Sequence, residues 1–202
     1  MKVIFLDRDG VINEFPGNGN YVKKVKDFKF LPGSLDAIRM LTKAGYTIFV
    51  ISNQAGVGKG VFSQDKLDRI THKMLSEVKK HSGEIRKVLY CTHRTEDGCH
   101  CRKPNIGLIQ KAMRSINKTL RTAKNAYFVG DTKADMITGH NAGCRTIFVL
   151  SGRETRHHLN GWPVKPDYIT RDLLEAVQII CNHHIPTLSD LKKLHRSSTI
   201  NP

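Results

Sequence analysis

A doubly wound parallel α/β sheet is the fold this chain of 202 residues predicts. Three observations carry that reading. Apolar runs of strand length, several of them rich in Val, Ile, Phe and Tyr, recur at 2–6, 46–51, 85–90, 126–129 and 145–150. Segments of helical period lie between them. Carboxylates, a hydroxyl and an amide stand just past the carboxyl ends of several runs, where open α/β sheets bind ligands. Strands alternating with helices in this way give parallel pairing with helices on both faces.

The first run, Val3-Ile4-Phe5-Leu6, ends in Asp7-Arg8-Asp9-Gly10. Two carboxylates so placed can ligate a hard cation such as Mg²⁺, and one of them can attack phosphorus. The same residues also suit a plain turn. Pro32-Gly33-Ser34 opens a helix expected over 34–44, with Ser34 as its N-cap and Leu35, Ile38 and Leu41 as its apolar stripe. The second run ends in Ser52-Asn53, which taken alone equally suits a helix cap or a turn. Gln54 to Gly60 is glycine-rich, yet Gly60 follows Lys59 where a P-loop requires Ser or Thr. The third glycine of a dinucleotide fingerprint would fall at Val61. What remains is a loop entering a helix, suited to face an anion.

After the third run, Cys91-x-His93 and Cys99-x-Cys101 place four soft ligands within eleven residues. Three thiolates and one imidazole suit tetrahedral Zn²⁺, and a full protein set means a structural site. Gly98 eases the turn, and His100, wedged between two cysteines, is expected to point away. Zinc there would stiffen the loop that delivers Arg102 and Lys103. A helix is expected over 105–121, with Ile109, Ala112, Met113, Ile116 and Leu120 on one face and Lys111, Arg114, Lys118 and Arg121 opposite. The run 126–129 ends in Gly130-Asp131, with Asp135 four residues on. Together, Asp7/Asp9, Ser52-Asn53, Lys103 and Asp131/Asp135 supply what phosphoryl transfer requires: a carboxylate nucleophile, metal-binding carboxylates, and donors with a cation for phosphate oxygens.

The net charge of +15 implies anionic partners. No acidic residue lies between Asp97 and Asp131, while Arg102, Lys103, Lys111, Arg114, Lys118, Arg121 and Lys124 all fall there. Such a stretch suits nucleic acid, a multiply phosphorylated metabolite, or a solvated helix face. Aromatic residues are not interleaved with it, which counts against nucleic acid. Clustering of three of the five cysteines beside histidines suits metal in a reducing compartment, so a cytoplasmic protein is expected. No apolar stretch approaches the ~20 residues that cross a bilayer, and the N-terminus lacks the layout of a secretion signal. One domain over 1–181 is expected, with 182–202 a tail of short helix and frayed end. Cys144 and Cys181 read as buried apolar thiols, and Tyr21 and Trp162 as pocket or packing residues.

Asp7-x-Asp9-Gly10, Ser52-Asn53, Lys103 and Gly130-Asp131-x-x-x-Asp135 resemble, in order and spacing, the four motifs of the haloacid dehalogenase superfamily. More narrowly, Asp7-Arg8-Asp9-Gly10-Val11-Ile12-Asn13, Asn53-Gln54-Ala55-Gly56-Val57 and Cys101-Arg102-Lys103-Pro104 resemble the heptose bisphosphate and histidinol-phosphate phosphatases. In that group the cap is minimal and a zinc loop stands near the active site. The resemblance implies a Mg²⁺-dependent phosphatase, with structural Zn²⁺, acting on a small phosphorylated metabolite. Asp7 would be the nucleophile and Asp9 the acid and base. Asp7, the Asp9 carbonyl and Asp131 would hold Mg²⁺, with Asp135 behind them. Ser52 and Lys103 would bind phosphoryl oxygens, and Asn53, Gln54, Arg102, Asn20 and Tyr21 would shape the site and meet the substrate. Residues 53–62 with Asn20-Tyr21 look closer to the heptose enzymes, so the 7-phosphate of a heptose 1,7-bisphosphate is the expected target of a monomer. The loop Glu14 to Asn20 departs from that pattern, being longer and rich in Gly and Asn. Histidinol phosphate, a polynucleotide 3′-phosphate and a nucleic-acid-binding zinc module are the alternatives.

Overall fold

The computed structural model describes residues 1–123 and 125–181. The expected tail, 182–202, and Lys124 lie outside the described residues. The strands are β1 (Lys2–Leu6), β2 (Tyr46–Asn53), β3 (Lys87–Cys91), β4 (Tyr127–Gly130), β5 (Arg145–Val149) and β6 (Tyr168–Thr170). They form a sheet of order β3-β2-β1-β4-β5-β6 in which every pair is parallel. Five strands lie on the apolar runs. The sixth was not expected, because three residues at a sheet edge are too short to display a period.

Helices α1 (Ser34–Lys43), α2 (Ala55–Gly58), α3 (Gln64–Lys80), α4 (Gly107–Arg114), α5 (Leu120–Ala123), α6 (Lys133–Asn141) and α7 (Leu173–Cys181) fill the connections. Because side chains alternate along a strand, Ile4 and Leu6 enter one core with α1, α3 and α7, while Val3 and Phe5 enter another with α4. Helix α6 lies over β4 and β5. Burial on both faces is why the strands read as continuous apolar runs.

Two helix boundaries differ from expectation. Gly33, in the left-handed region at φ 76°, caps α1, and Ser34 is its first residue, buried with its hydroxyl unpartnered among the described residues. Gly33 meets Leu174 of α7 so closely that a Cβ would stand 2.8 Å from Leu174 Cδ2, so the turn falls on the residue without a side chain. The helix expected over 105–121 stops at Arg114. Asn117 turns left-handed at φ 54° and the Lys118 N–H returns to Met113 O, closing α4 before α5 begins.

Strand register positions the site. Leu6 lies beside Val50 and Val129, and Asn53 beside Cys91. The residues that follow β1, β2, β3 and β4 therefore emerge along one edge of the sheet.

Candidate active site and zinc centre

A cleft of about 620 Å³ opens on that edge. Asp7, Asp9, Ser52, Asn53, Arg102, Lys103, Asp131, Asn20 and Tyr21 all line it. The turn after β1 is built on the Arg8 carbonyl, which accepts from the N–H groups of Ile12 and Asn13 at 2.8 and 3.1 Å. Asp7 Oδ1 receives the Arg8 N–H at 2.7 Å and stands 2.9 Å from Lys103 Nζ. Its Oδ2 receives no hydrogen bond among the described residues.

Lys103 is buried, donating to Ile51 O at 2.9 Å and pairing with Asp135 Oδ1 at 2.6 Å. Burial works against its charge, but Asp135 and then Asp7 outweigh burial and push its pKa above the ordinary lysine value. Asp135 turns its other oxygen back to Thr132, in a capping box at the start of α6. It therefore braces Lys103 from behind.

Asp131 sits between two glycines. A Cβ on Gly10 or on Gly152 would overlap its carboxylate, and Gly10 also holds φ 81°. Asp131 Oδ2 accepts the Arg153 N–H at 2.7 Å, while Oδ1 is buried without a hydrogen-bond partner among the described residues. An orphaned buried carboxylate oxygen needs a ligand. Asp7, Asp131 and Asp135 bring carboxylate oxygens within 4.8 Å of one another. Burial raises Asp7 to about 6 against the pull of Lys103, and burial with Asp7 and Asp135 raises Asp131 well above the usual range. Gathered, desolvated carboxylates with an unpartnered oxygen fit a hard divalent cation. Asp7 and Asp131 have oxygens to offer it, whereas both oxygens of Asp135 are engaged.

Gln54 and Asn53, expected to shape the site and meet the substrate, both engage protein partners, and Asn53 also lines the cleft. Gln54 is 1% exposed, and its amide donates to Asp9 Oδ2 at 2.8 Å and Ser52 Oγ at 3.3 Å. The Asn53 side chain is clamped to the Lys103 backbone, donating to its carbonyl and accepting its N–H, both at 3.1 Å. Gln54 thus ties Asp9 to the end of β2, and Asn53 ties the lysine to β2. A buried amide must be hydrogen-bonded, and that of Gln54 finds its partners within the protein.

The loop Ser151-Gly152-Arg153 was not anticipated from the sequence. Ser151 Oγ donates to Gly10 O at 2.7 Å, and this loop secures Asp131. The available signal was its place, just past the strand run 145–150, on the sheet edge that marked the other motifs.

Cys91, His93, Cys99 and Cys101 converge beside the cleft. Cys91 Sγ to Cys99 Sγ and Cys99 Sγ to Cys101 Sγ are each 3.5 Å, and His93 Nδ1 lies 3.2 Å from Cys101 Sγ and 3.7 Å from Cys91 Sγ. A tetrahedron with metal–sulfur bonds of about 2.3 Å has edges of about 3.7 Å, so the cluster fits zinc. Burial pushes the Cys91 thiol up to about 12, so binding the ion expels protons. His100 is exposed and outside the cluster. Gly98 takes φ 57° in the turn, and Asn105 Nδ2 fastens the loop to Cys99 O at 2.8 Å. Cys99→Ser, or chelation of wild type, is expected to lower the melting temperature and release zinc. An unchanged melting curve, with no zinc in the purified protein, would remove the metal from this loop.

Comparison with known proteins first gives a class: residues 100–176 match the family model described as HAD-hydrolase-like. The D-glycero-β-D-manno-heptose-1,7-bisphosphate 7-phosphatase of Pseudomonas putida is 34% identical over 163 residues, 81% of this chain and 90% of that protein. The D-glycero-α-D-manno-heptose-1,7-bisphosphate 7-phosphatase of Campylobacter jejuni is 35% identical over 150 residues, 74% of this chain and 83% of that one. The crystal structure of D,D-heptose 1,7-bisphosphate phosphatase from B. bronchiseptica, complexed with magnesium and phosphate, superposes with a TM-score of 0.83 at 31% identity. It covers 91% of this chain and 100% of its own. The chain belongs to the family of these heptose-bisphosphate phosphatases, within the haloacid dehalogenase-like hydrolases.

Proposed function

We propose that this protein is a Mg²⁺-dependent phosphomonoester hydrolase that removes the 7-phosphate of D-glycero-D-manno-heptose 1,7-bisphosphate through an aspartyl-phosphate on Asp7. The observation that carries the reading is one cleft lined by Asp7, Asp9, Ser52, Arg102 and Lys103, with Lys103 Nζ 2.9 Å from Asp7 Oδ1.

Asp7 Oδ2, free of donors among the described residues, attacks phosphorus. The P–O bond to the sugar breaks, and the leaving oxygen keeps the electron pair and takes a proton from Asp9. Water then attacks the aspartyl-phosphate, Asp9 takes the water's proton, and the P–O bond to Asp7 breaks to release phosphate. Lys103 and Ser52 hold phosphoryl oxygens as charge builds on them. Asp7, Asp131 and the Asp9 carbonyl would hold Mg²⁺, which when bound neutralises charge on the phosphoryl group. Arg102, with a guanidinium suited to bidentate contacts, meets the second phosphate. Asn20 and Tyr21, which also line the cleft, meet sugar hydroxyls. Every side chain named comes from one chain, so a monomer suffices. Among the described residues no helix is long and apolar enough to cross a membrane.

Phosphate release, with and without Mg²⁺, tests this on both anomers of the heptose bisphosphate, histidinol phosphate and a 3′-phosphorylated oligonucleotide. Mg²⁺-dependent release is expected, fastest from a heptose bisphosphate. Release indifferent to Mg²⁺ overturns the mechanism, and release confined to the oligonucleotide overturns the substrate.

A further inference from the structure

Arg8 is fully buried between Asp7 and Asp9, and its side chain takes no part in the two chemical steps. A guanidinium out of water must be paired. Its carboxylate partner is Asp9: Nε reaches Oδ1 at 3.2 Å, and Nη2 reaches Oδ1 and Oδ2, each at 2.9 Å. The guanidinium carbon lies 5.6 Å from the ring centre of Tyr90, whose hydroxyl is 2.9 Å from Thr71 Oγ1 on α3. Tyr90 belongs to β3, so the guanidinium bridges the turn after β1 to a strand two places away in the sheet.

Asp9 is surrounded on the same side. Asn13 Nδ2 donates to Oδ1 and Gln54 Nε2 to Oδ2, both at 2.8 Å. Five contacts from three side chains thus converge on two oxygens, while the Asp9 side chain stays 20% exposed and lines the cleft. A charge buried only to complete the core has no reason to choose the one cleft-lining carboxylate that exchanges protons. Donors that fix its plane and position do.

We propose that Arg8 is the positioning residue for Asp9: its fork, seated on Tyr90, orients the carboxyl group whose acid form protonates the leaving oxygen and whose resulting carboxylate deprotonates water. The inference rests on the two-step reading above. It separates Arg8 from residues that bind phosphate, because an alkoxide leaving group needs a proton and p-nitrophenolate does not.

Arg8→Met and Arg8→Lys are compared with wild type on a sugar phosphomonoester and on p-nitrophenyl phosphate, with Mg²⁺ and zinc present. With the sugar phosphate, R8M should lose on the order of 10²-fold in kcat with KM held within about twofold, as removal of acid/base assistance does. With p-nitrophenyl phosphate its first turnover should stay near the wild-type rate. That gives a burst of nitrophenolate equal to the enzyme present, followed by slow turnover, because hydrolysis of the aspartyl-phosphate also needs Asp9. R8K, a single point charge in place of a fork, should regain part of the sugar-phosphate rate. Equal losses on both substrates without a burst, or R8M at wild-type rate, overturn the proposal. If R8M does not fold, R8K carries the same comparison. Wild type without Mg²⁺-dependent release from either substrate overturns the two-step reading itself, a failure visible before any Arg8 variant is assayed.

Discussion

Asp7→Asn is expected to lower turnover by on the order of 10⁴-fold or more with the fold intact, as loss of a covalent nucleophile does. Asparagine fills the same space and still accepts the Arg8 N–H, but its amide cannot form the aspartyl-phosphate. The stability of the metal-free protein separates lost chemistry from lost fold. Burial, opposed by Lys103 and reinforced by Asp135 and Asp9, raises Asp7 to about 6. A carboxyl whose folded value exceeds its unfolded value of about 3.9 favours the folded state when protonated. That contribution is lost as pH rises through about 6. Asparagine carries no such charge, so near pH 7 the metal-free variant should melt at or above wild type. Turnover retained by D7N would remove Asp7 from the nucleophile role. A collapsed melting temperature would show instead that the loss was structural.

Lys103→Ala is expected to damage both rate and stability. Turnover should fall by about 10²-fold or more, the cost of losing one preorganised donor to developing phosphoryl charge. Stability should fall as well, because alanine leaves Asp7 and Asp135 buried around an absent cation. Breaking such a pair by removing one partner costs about 3–5 kcal/mol. The ion-pair distances of 2.9 and 2.6 Å and the near-complete burial of Lys103 place it in that regime rather than among surface pairs. Thermal melting with matched kinetics checks both effects. A variant of near wild-type rate would show that another cation serves the phosphoryl group, and an unchanged melting temperature would show the network to be relaxed by water.

The basic stretch divides in two. Arg102 and Lys103 line the cleft, whereas Lys111, Arg114, Lys118 and Arg121 are exposed and absent from its lining. These four exposed cations lie away from the cleft, Lys111 and Arg114 on α4, Lys118 in the turn that closes it and Arg121 on α5. Trp162, read as either pocket or packing, packs edge-on against Phe148 at 4.9 Å. Tyr21 serves both ends, lining the cleft and lying 5.9 Å from Phe62. Cys144 is buried, while Cys181 at the end of α7 is only partly so.

The amino-acid sequence alone determined the parallel α/β class, five strand runs, the two acidic turns, Ser52, Lys103 and the zinc quartet. Each is a local pattern: a period of two or 3.6, a short ligand spacing, or a polar residue at the end of an apolar run. Only the tertiary structure decided which way the polar side chains face. Arg8 turned inward onto Asp9 and Tyr90, Gln54 reached 45 residues back to Asp9, and Asn53 reached 50 residues forward to the Lys103 backbone. The loop at Ser151 joined Gly10 across 141 residues. A buried polar group takes whichever partner the packed chain brings within about 3 Å, and no periodicity along the chain records a partner supplied by another strand.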